Sequence, residues 1–296
     1  MTANGEDTAI TAEEMERAIN APGPGFLGLL QVAPSNIRQY AYQNREQFLD
    51  IANEEMDNVD ELFLLTGVSD FIFQSTFLTP EAHNSPFSSW SSYDSELGLV
   101  LFKMSESPRH SFAGDAFRCL LFEALQPIEM TRQMIPIGTA LCMSLTGGKK
   151  PDGAWRPRGP WCRARTEWPN LVLEVAVSET RRKLESDVRW WVRECPRRMN
   201  TVTVLAVAIS RRAPTITVEK WANDANGVAR LQQTIRISSN PATNTITITG
   251  APLLLEFDKL FERQPATPTE RDIEIGNDQL EWWAEVIWER PASIIR

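Results

Sequence analysis

A chain of 296 residues, 42% apolar and 23% charged, is long enough for one large domain with its own core, and its composition is that of an ordinary globular protein. A formal net charge of −9 excludes a protein that coats nucleic acid with its whole surface. The two histidines and the four cysteines (Cys119, Cys142, Cys162, Cys195) show no paired spacing, which argues against a zinc site. The thiols read as buried and reduced. The acidic, polar stretch 1–17 has the pattern of neither a secretory nor a mitochondrial signal, and no apolar run approaches a membrane span. The expectation is an intracellular protein, cytoplasmic or nuclear, with no membrane partner.

In chain order, Thr11 is placed to cap a short helix over 12–19. Gly23, Gly25 and Gly28 match GxGxxG, but prolines flank them and no strand precedes them, so the segment reads as a turn. Tyr40, Phe48, Ile51, Met56, Val59 and Phe63 recur at nearly helical spacing, which predicts one or two helices over 37–65. Their acids form a solvated face; Glu54 or Glu55 as a metal ligand is the less favoured reading. Residues 79–95 are rich in Ser and Pro and read as a surface loop. A strand over 97–104, a helix over 112–125 and strands over 128–135 and 139–145 follow.

The run Leu171-Val172-Leu173-Glu174-Val175-Ala176-Val177 is too short for a core helix and reads as a buried strand. A carboxylate inside it costs several kcal/mol to bury unless a cation, a metal or hydrogen-bond donors meet it. After a helix over 180–194, the apolar run 201–210 predicts a second buried strand parallel to the first. Segments 215–221, 230–238 and 244–249 alternate with period two and predict antiparallel strands, the last two joined by a turn at 240–243. Residues 253–263 and 278–289 read as closing helices, the latter burying Leu280, Trp283 and Ile287. The class is α/β: a mixed sheet flanked by helices. The charge is uneven, with 13 Lys/Arg against 7 Asp/Glu between Lys149 and Arg198. That segment is a local site for an anion such as a phosphate backbone, or a solvated helix face.

Lys150-Pro151-Asp152, then Trp168-Pro169, Val172-Leu173-Glu174-Val175, Ser178-Glu179 and a helix carrying Asp187 resemble the PD-(D/E)XK nuclease-like (restriction-endonuclease-like) superfamily, in its fungal and bacterial branch. The resemblance covers residues 110–261. It implies a restriction-endonuclease-like core over 96–263, preceded by a mainly helical extension over 1–95 and followed by a linker and helix over 264–296. It further implies Mg²⁺ or Mn²⁺ held by Asp152 and Glu174, with the Val175 carbonyl as a further ligand and Asp115 as an upstream one. The metal would activate water for cleavage of DNA or RNA. The family's lysine two residues after the acid is Ala176 here. Lys150, Lys183, Arg182 or Arg189 would have to replace it, and Arg181, Arg182 and Arg189 would contact the nucleic acid. The alternative is an inactive pseudo-nuclease retained as a binding or scaffold module.

Each site residue also has a plainer reading. Asp152 suits an Asx turn with Gly153, and Glu174 a buried ion pair with an arginine. Trp155, Trp161 and Trp168 could stack on bases or fill a core. Trp282, Trp283 and Trp288 suggest a homodimer contact.

Overall fold

The computed structural model of the chain describes residues 37–56, 62–82, 85–104, 107–158, 168–177, 181–195, 202–224, 226–243 and 245–288, together with Glu13 and Arg17. The GxGxxG turn lies outside them, as does most of the helix expected over 12–19. Two large sheets carry the molecule, and the mixed α/β class holds.

The first sheet opens with β1 (Arg38–Ala41), α1 (Arg45–Met56) and β2 (Leu62–Thr66). The strands are parallel, so α1 is the crossover between them. This corrects the reading of 37–65 as helix. Only Phe48, Ile51, Ala52 and Glu55 share the buried helical face; Tyr40 and Phe63 belong to strands and mimic the spacing by coincidence. The Asn44 side chain accepts the Gln47 N–H at 2.9 Å and caps α1. Glu55 takes the Tyr40 hydroxyl at 2.5 Å and lies 3.3 Å from Arg38, so its buried carboxylate is structural.

After α2 (Asp70–Phe77), β3 (Trp90–Asp94) and β4 (Leu99–Lys103) form a hairpin within the same sheet. The segment read as a loop therefore ends in a strand, with Trp90 and Tyr93 buried against an aromatic core that includes Phe48, Phe63, Phe73 and Phe102. Residues 38–94 thus contribute three strands and two α-helices, not a mainly helical extension. The segments set apart at 95 and 264 are tied to the rest by strand pairing across both positions.

Next come α3 (Pro108–Leu125), capped by Ser107, and β5 (Met134–Pro136), β6 (Cys142–Met143), β7 (Gly147–Lys149) and β8 (Gly153–Pro157). The strands expected over 128–135 and 139–145 shrink to the short β5 and β6. Then follow β9 (Leu171–Ala176), α4 (Arg181–Glu194), β10 (Thr203–Ile209), β11 (Thr215–Asn223), β12 (Ala229–Asn240) and β13 (Thr245–Thr249). The chain closes with β14 (Leu253–Leu255), the short α5 (Phe257–Phe261), β15 (Ile273–Ile275) and α6 (Asn277–Trp288).

The first sheet has the order β1-β2-β4-β3-β7-β6, the second β13-β12-β11-β10-β9-β8-β5. In the second, β9 and β10 are parallel and β11, β12 and β13 follow antiparallel, as their sequences predict; β8, unforeseen in the sequence, pairs antiparallel with both β9 and β5. Strand β9 is buried on both faces, which explains why all its residues but Glu174 are apolar. Leu171, Leu173 and Val175 face the layer of α3 and α6, while Val172 and Ala176 face α4. Period-two alternation therefore turns Glu174 toward α4. Among the described residues, no helix is long and apolar enough to cross a membrane.

Candidate active site

Strand β7 belongs to the first sheet and β8 to the second, so Lys150-Pro151-Asp152 is the strap where the two meet. A Cβ at Gly147 would collide with the Tyr93 carbonyl, so β7 reaches β3 only with glycine there. This fixes Lys149 and the strap after it.

Asp152 accepts the Val175 N–H on Oδ2 at 2.7 Å. His110 Nε2 lies 3.1 Å from the same oxygen, and Lys103 Nζ lies 3.4 Å from Oδ1. Lys103 Nζ and His110 Nε2 are 2.9 Å apart. The imidazole nitrogen either donates to Asp152 or accepts from Lys103, but not both at once. Burial alone would raise the Asp152 pKa, but Lys103 and His110 outweigh it and hold the carboxyl well below its usual range. Its side chain, 15% exposed, lines two clefts. One, of about 750 Å³, also takes in Lys103, Lys150 and Ser88–Ser91; the other, of about 330 Å³, takes in His110, Asp115 and Arg118.

Glu174 is closed off, at 2% exposure. The Trp191 indole donates to its Oε1 at 2.5 Å, and Lys149 Nζ lies 3.4 Å from the same atom. Burial pushes its pKa up to about 8, against the pull of Lys149 and with the carboxylates of Asp187 and Asp152 adding to the rise. Lys149 is buried too and donates to Asp187 Oδ1 at 2.7 Å. Lys183, one turn before Asp187 on α4, donates to Oδ2 at 2.7 Å. Burial opposes the charge on Lys149 and on Asp187 alike, yet the pairing wins: the lysine's pKa rises and the aspartate's falls.

The structure thus brings Asp152, Glu174, Val175 and Lys183 to one region, while Lys150 and Asp115 line the clefts beside Asp152 but engage other partners. Lys150 turns away: its ammonium donates to the Ser88 carbonyl at 2.7 Å and sits 4.1 Å over the Trp90 ring, and burial lowers its pKa to about 8. Asp115 stands on the exposed face of α3, 3.3 Å from Arg118. Arg189 is buried, so it offers no guanidinium to a polymer on the surface. Arg181 and Arg182 open α4, but their side chains lie outside the described residues, as does Trp161. Trp155 and Trp168 are core residues, packed on Phe117 and on Trp190 and Trp191 respectively, so they present no face to a base. Trp283 is likewise core and donates to the Ala113 carbonyl at 3.0 Å.

Two lysines of the site are not found by sequence reasoning. Lys103 ends the apolar strand β4, 49 residues before Asp152 in the chain. Lys149 looks in sequence like one half of an ordinary basic pair. The one available signal is Asp187, an acid on the apolar face of α4 in need of cations.

A hard divalent cation takes oxygen ligands at roughly 2.0–2.6 Å. Three carboxylates lie in this region, but three ammonium groups already serve them. Among the described residues, no group of three His, Cys, Asp or Glu side chains is placed to hold an ion. The open carboxylate is that of Asp152, while Glu174 is walled in by indole and ammonium. This donor set does not form a ready metal centre.

No protein-family model matches the chain, and a search of curated proteins also finds no match. Among solved structures the chain is similar to "a putative nuclease belonging to DUF820 from Anabaena variabilis". The identity is 14% and the TM-score 0.37, over 66% of this chain and 90% of that one. A likeness at that level decides neither the activity nor its residues.

Proposed function

We propose that this chain has a nuclease-like, PD-(D/E)XK-type core whose acidic centre is charge-compensated by lysines, and that it serves as a nucleic-acid-binding module rather than a cutting enzyme. The observation that carries this reading is the pairing at the motif acids. Asp152 faces Lys103 and His110, and Glu174 faces Lys149 and Trp191. A cation entering there would have to displace ammonium groups from Asp152 and Asp187, and a proton from Glu174, whose burial favours the uncharged form.

The binding surface in this reading is the larger cleft, where Lys103 and Lys150 share the wall with Asp152. Phosphate contacts of this kind are sequence-independent and screened by salt. In a fluorescence-polarisation titration, labelled single-stranded DNA or RNA should bind and weaken steeply as salt rises. Lys103→Met should lower the affinity by ~5–10-fold, an effect of about 1 kcal/mol. The same oligonucleotides incubated with Mg²⁺ or Mn²⁺ should remain intact. Salt-independent binding, or none, would refute the binding role; metal-dependent cleavage lost in Asp152→Asn would refute the silent centre.

One observation favours the hydrolytic reading. Asp152 borders an open cleft and sits on the Val175 backbone, and Mg²⁺ is often held by one or two carboxylates together with substrate phosphates. In that reading Asp152 would hold an ion brought in with the nucleic acid, and the ion would lower the pKa of the attacking water. Lys103 would then supply the ammonium missing at Ala176.

A further inference from the structure

We propose that β13 is a dimerisation edge, pairing antiparallel with β13 of a second copy of this chain across a two-fold axis at Thr247. Strand β13 is an outer strand of the seven-stranded sheet, and among the described residues nothing pairs with its outer side. An open edge presents a row of backbone donors and acceptors, and natural sheets usually blunt it with charge, proline or brevity. The other outer strands of the two large sheets show these devices. Strand β5 is three residues long and ends in Pro136, β6 is two residues long, and β1 is four residues long and carries Arg38. Strand β13, Thr-Ile-Thr-Ile-Thr, has none of them.

Its sequence is also a palindrome. Antiparallel pairing about Thr247 sets Ile246 opposite Ile248 and Thr245 opposite Thr249, so like meets like on both faces. The burial alternates in step: the threonines are exposed, and the isoleucines are half-buried against the core. A slip of one residue would oppose isoleucine to threonine and turn the faces over, and of the remaining registers the one centred on Thr247 pairs all five residues of the strand. The contact is isologous, as a closed two-fold dimer requires, and it joins two seven-stranded sheets into one. Helix α6 packs over β12 and β13.

Sedimentation velocity on the full chain, from sub-micromolar to tens of micromolar, should show a monomer–dimer equilibrium. Thr247 is exposed, so Thr247→Lys should leave the circular-dichroism spectrum unchanged. It would place two ammonium groups face to face at the two-fold axis and weaken the dimer by roughly 5-fold, because exposed like charges directly opposed across two strands cost about 1 kcal/mol. Thr247→Glu should do the same. An equimolar mixture of the two variants should restore a dimer, because lysine then faces glutamate. A wild-type chain that stays monomeric throughout overturns the proposal. So does a dimer dissociation constant unchanged in both charged variants, or a mixture no more associated than its parts.

Discussion

Replacing Asp187 by asparagine should cost roughly 3–5 kcal/mol of stability, enough to lower the unfolding temperature by about 10 °C. The side chain sits at 4% exposure between two ammonium groups, each at 2.7 Å. Asparagine keeps the shape and removes the charge, so Lys149 and Lys183 stay buried without their shared counter-ion. Total stabilities of roughly 5–15 kcal/mol are usual, so the loss would be a large share. Lys183→Met should cost clearly less, because Asp187 keeps Lys149 and the methionine is apolar and of similar length. Thermal unfolding of both variants and of the double variant closes the cycle: non-additivity of about 1 kcal/mol or more is expected for groups in one network. Near-equal, additive and small effects would mean that the three charges do not depend on one another.

The second large effect is on pH dependence. Glu174 has a folded pKa of about 8 against an ordinary value of 4.5. Between those values the folded chain holds a proton that the unfolded chain has released, so this group makes stability fall as pH rises. Asp152 and Asp187, whose pKa values are lowered, act in the opposite sense: their contribution is present above the ordinary 3.8 and is lost as pH falls toward their folded values. Glu174→Gln keeps an acceptor for the Trp191 indole and cannot ionise. Urea unfolding should therefore show wild type and variant close together near about pH 5, and the variant gaining up to a few kcal/mol by about pH 9. The gain accumulates at roughly 1.4 kcal/mol for each tenfold fall in proton concentration between the ordinary and the folded pKa. Parallel curves for the two proteins would show that burial does not hold Glu174 neutral.

The parts of this site that follow from local rules are legible in the sequence. Leu171–Ala176 is apolar but for Glu174 because helices cover both its faces, and that one acid marks a residue in need of partners. The helix and the parallel strand that follow are legible for the same reason, and Asp187 can be placed on the inward face of α4. What stays hidden depends on contacts between segments far apart in the chain. Lys103 meets Asp152 because β4 and the β7–β8 strap converge where two sheets join, and no periodicity announces that. Sequence also misplaces Lys150, because its neighbour Lys149 lies on the strand while Lys150 itself turns to Ser88 and Trp90. In residues 38–66 a strand, a helix and a strand put apolar residues at intervals that imitate one long helix. The buried run Leu62–Thr66 is the sign of a strand that the helical spacing obscures.

In the proposed reading, lysines balance the acids where the two sheets meet. Isothermal titration of the full chain with Mn²⁺, repeated on Asp152→Asn, tests this most directly. The charge-compensated centre predicts no saturable heat in either protein. A stoichiometric Mn²⁺ site in the wild type that disappears in Asp152→Asn would contradict it and restore the metal-dependent reading.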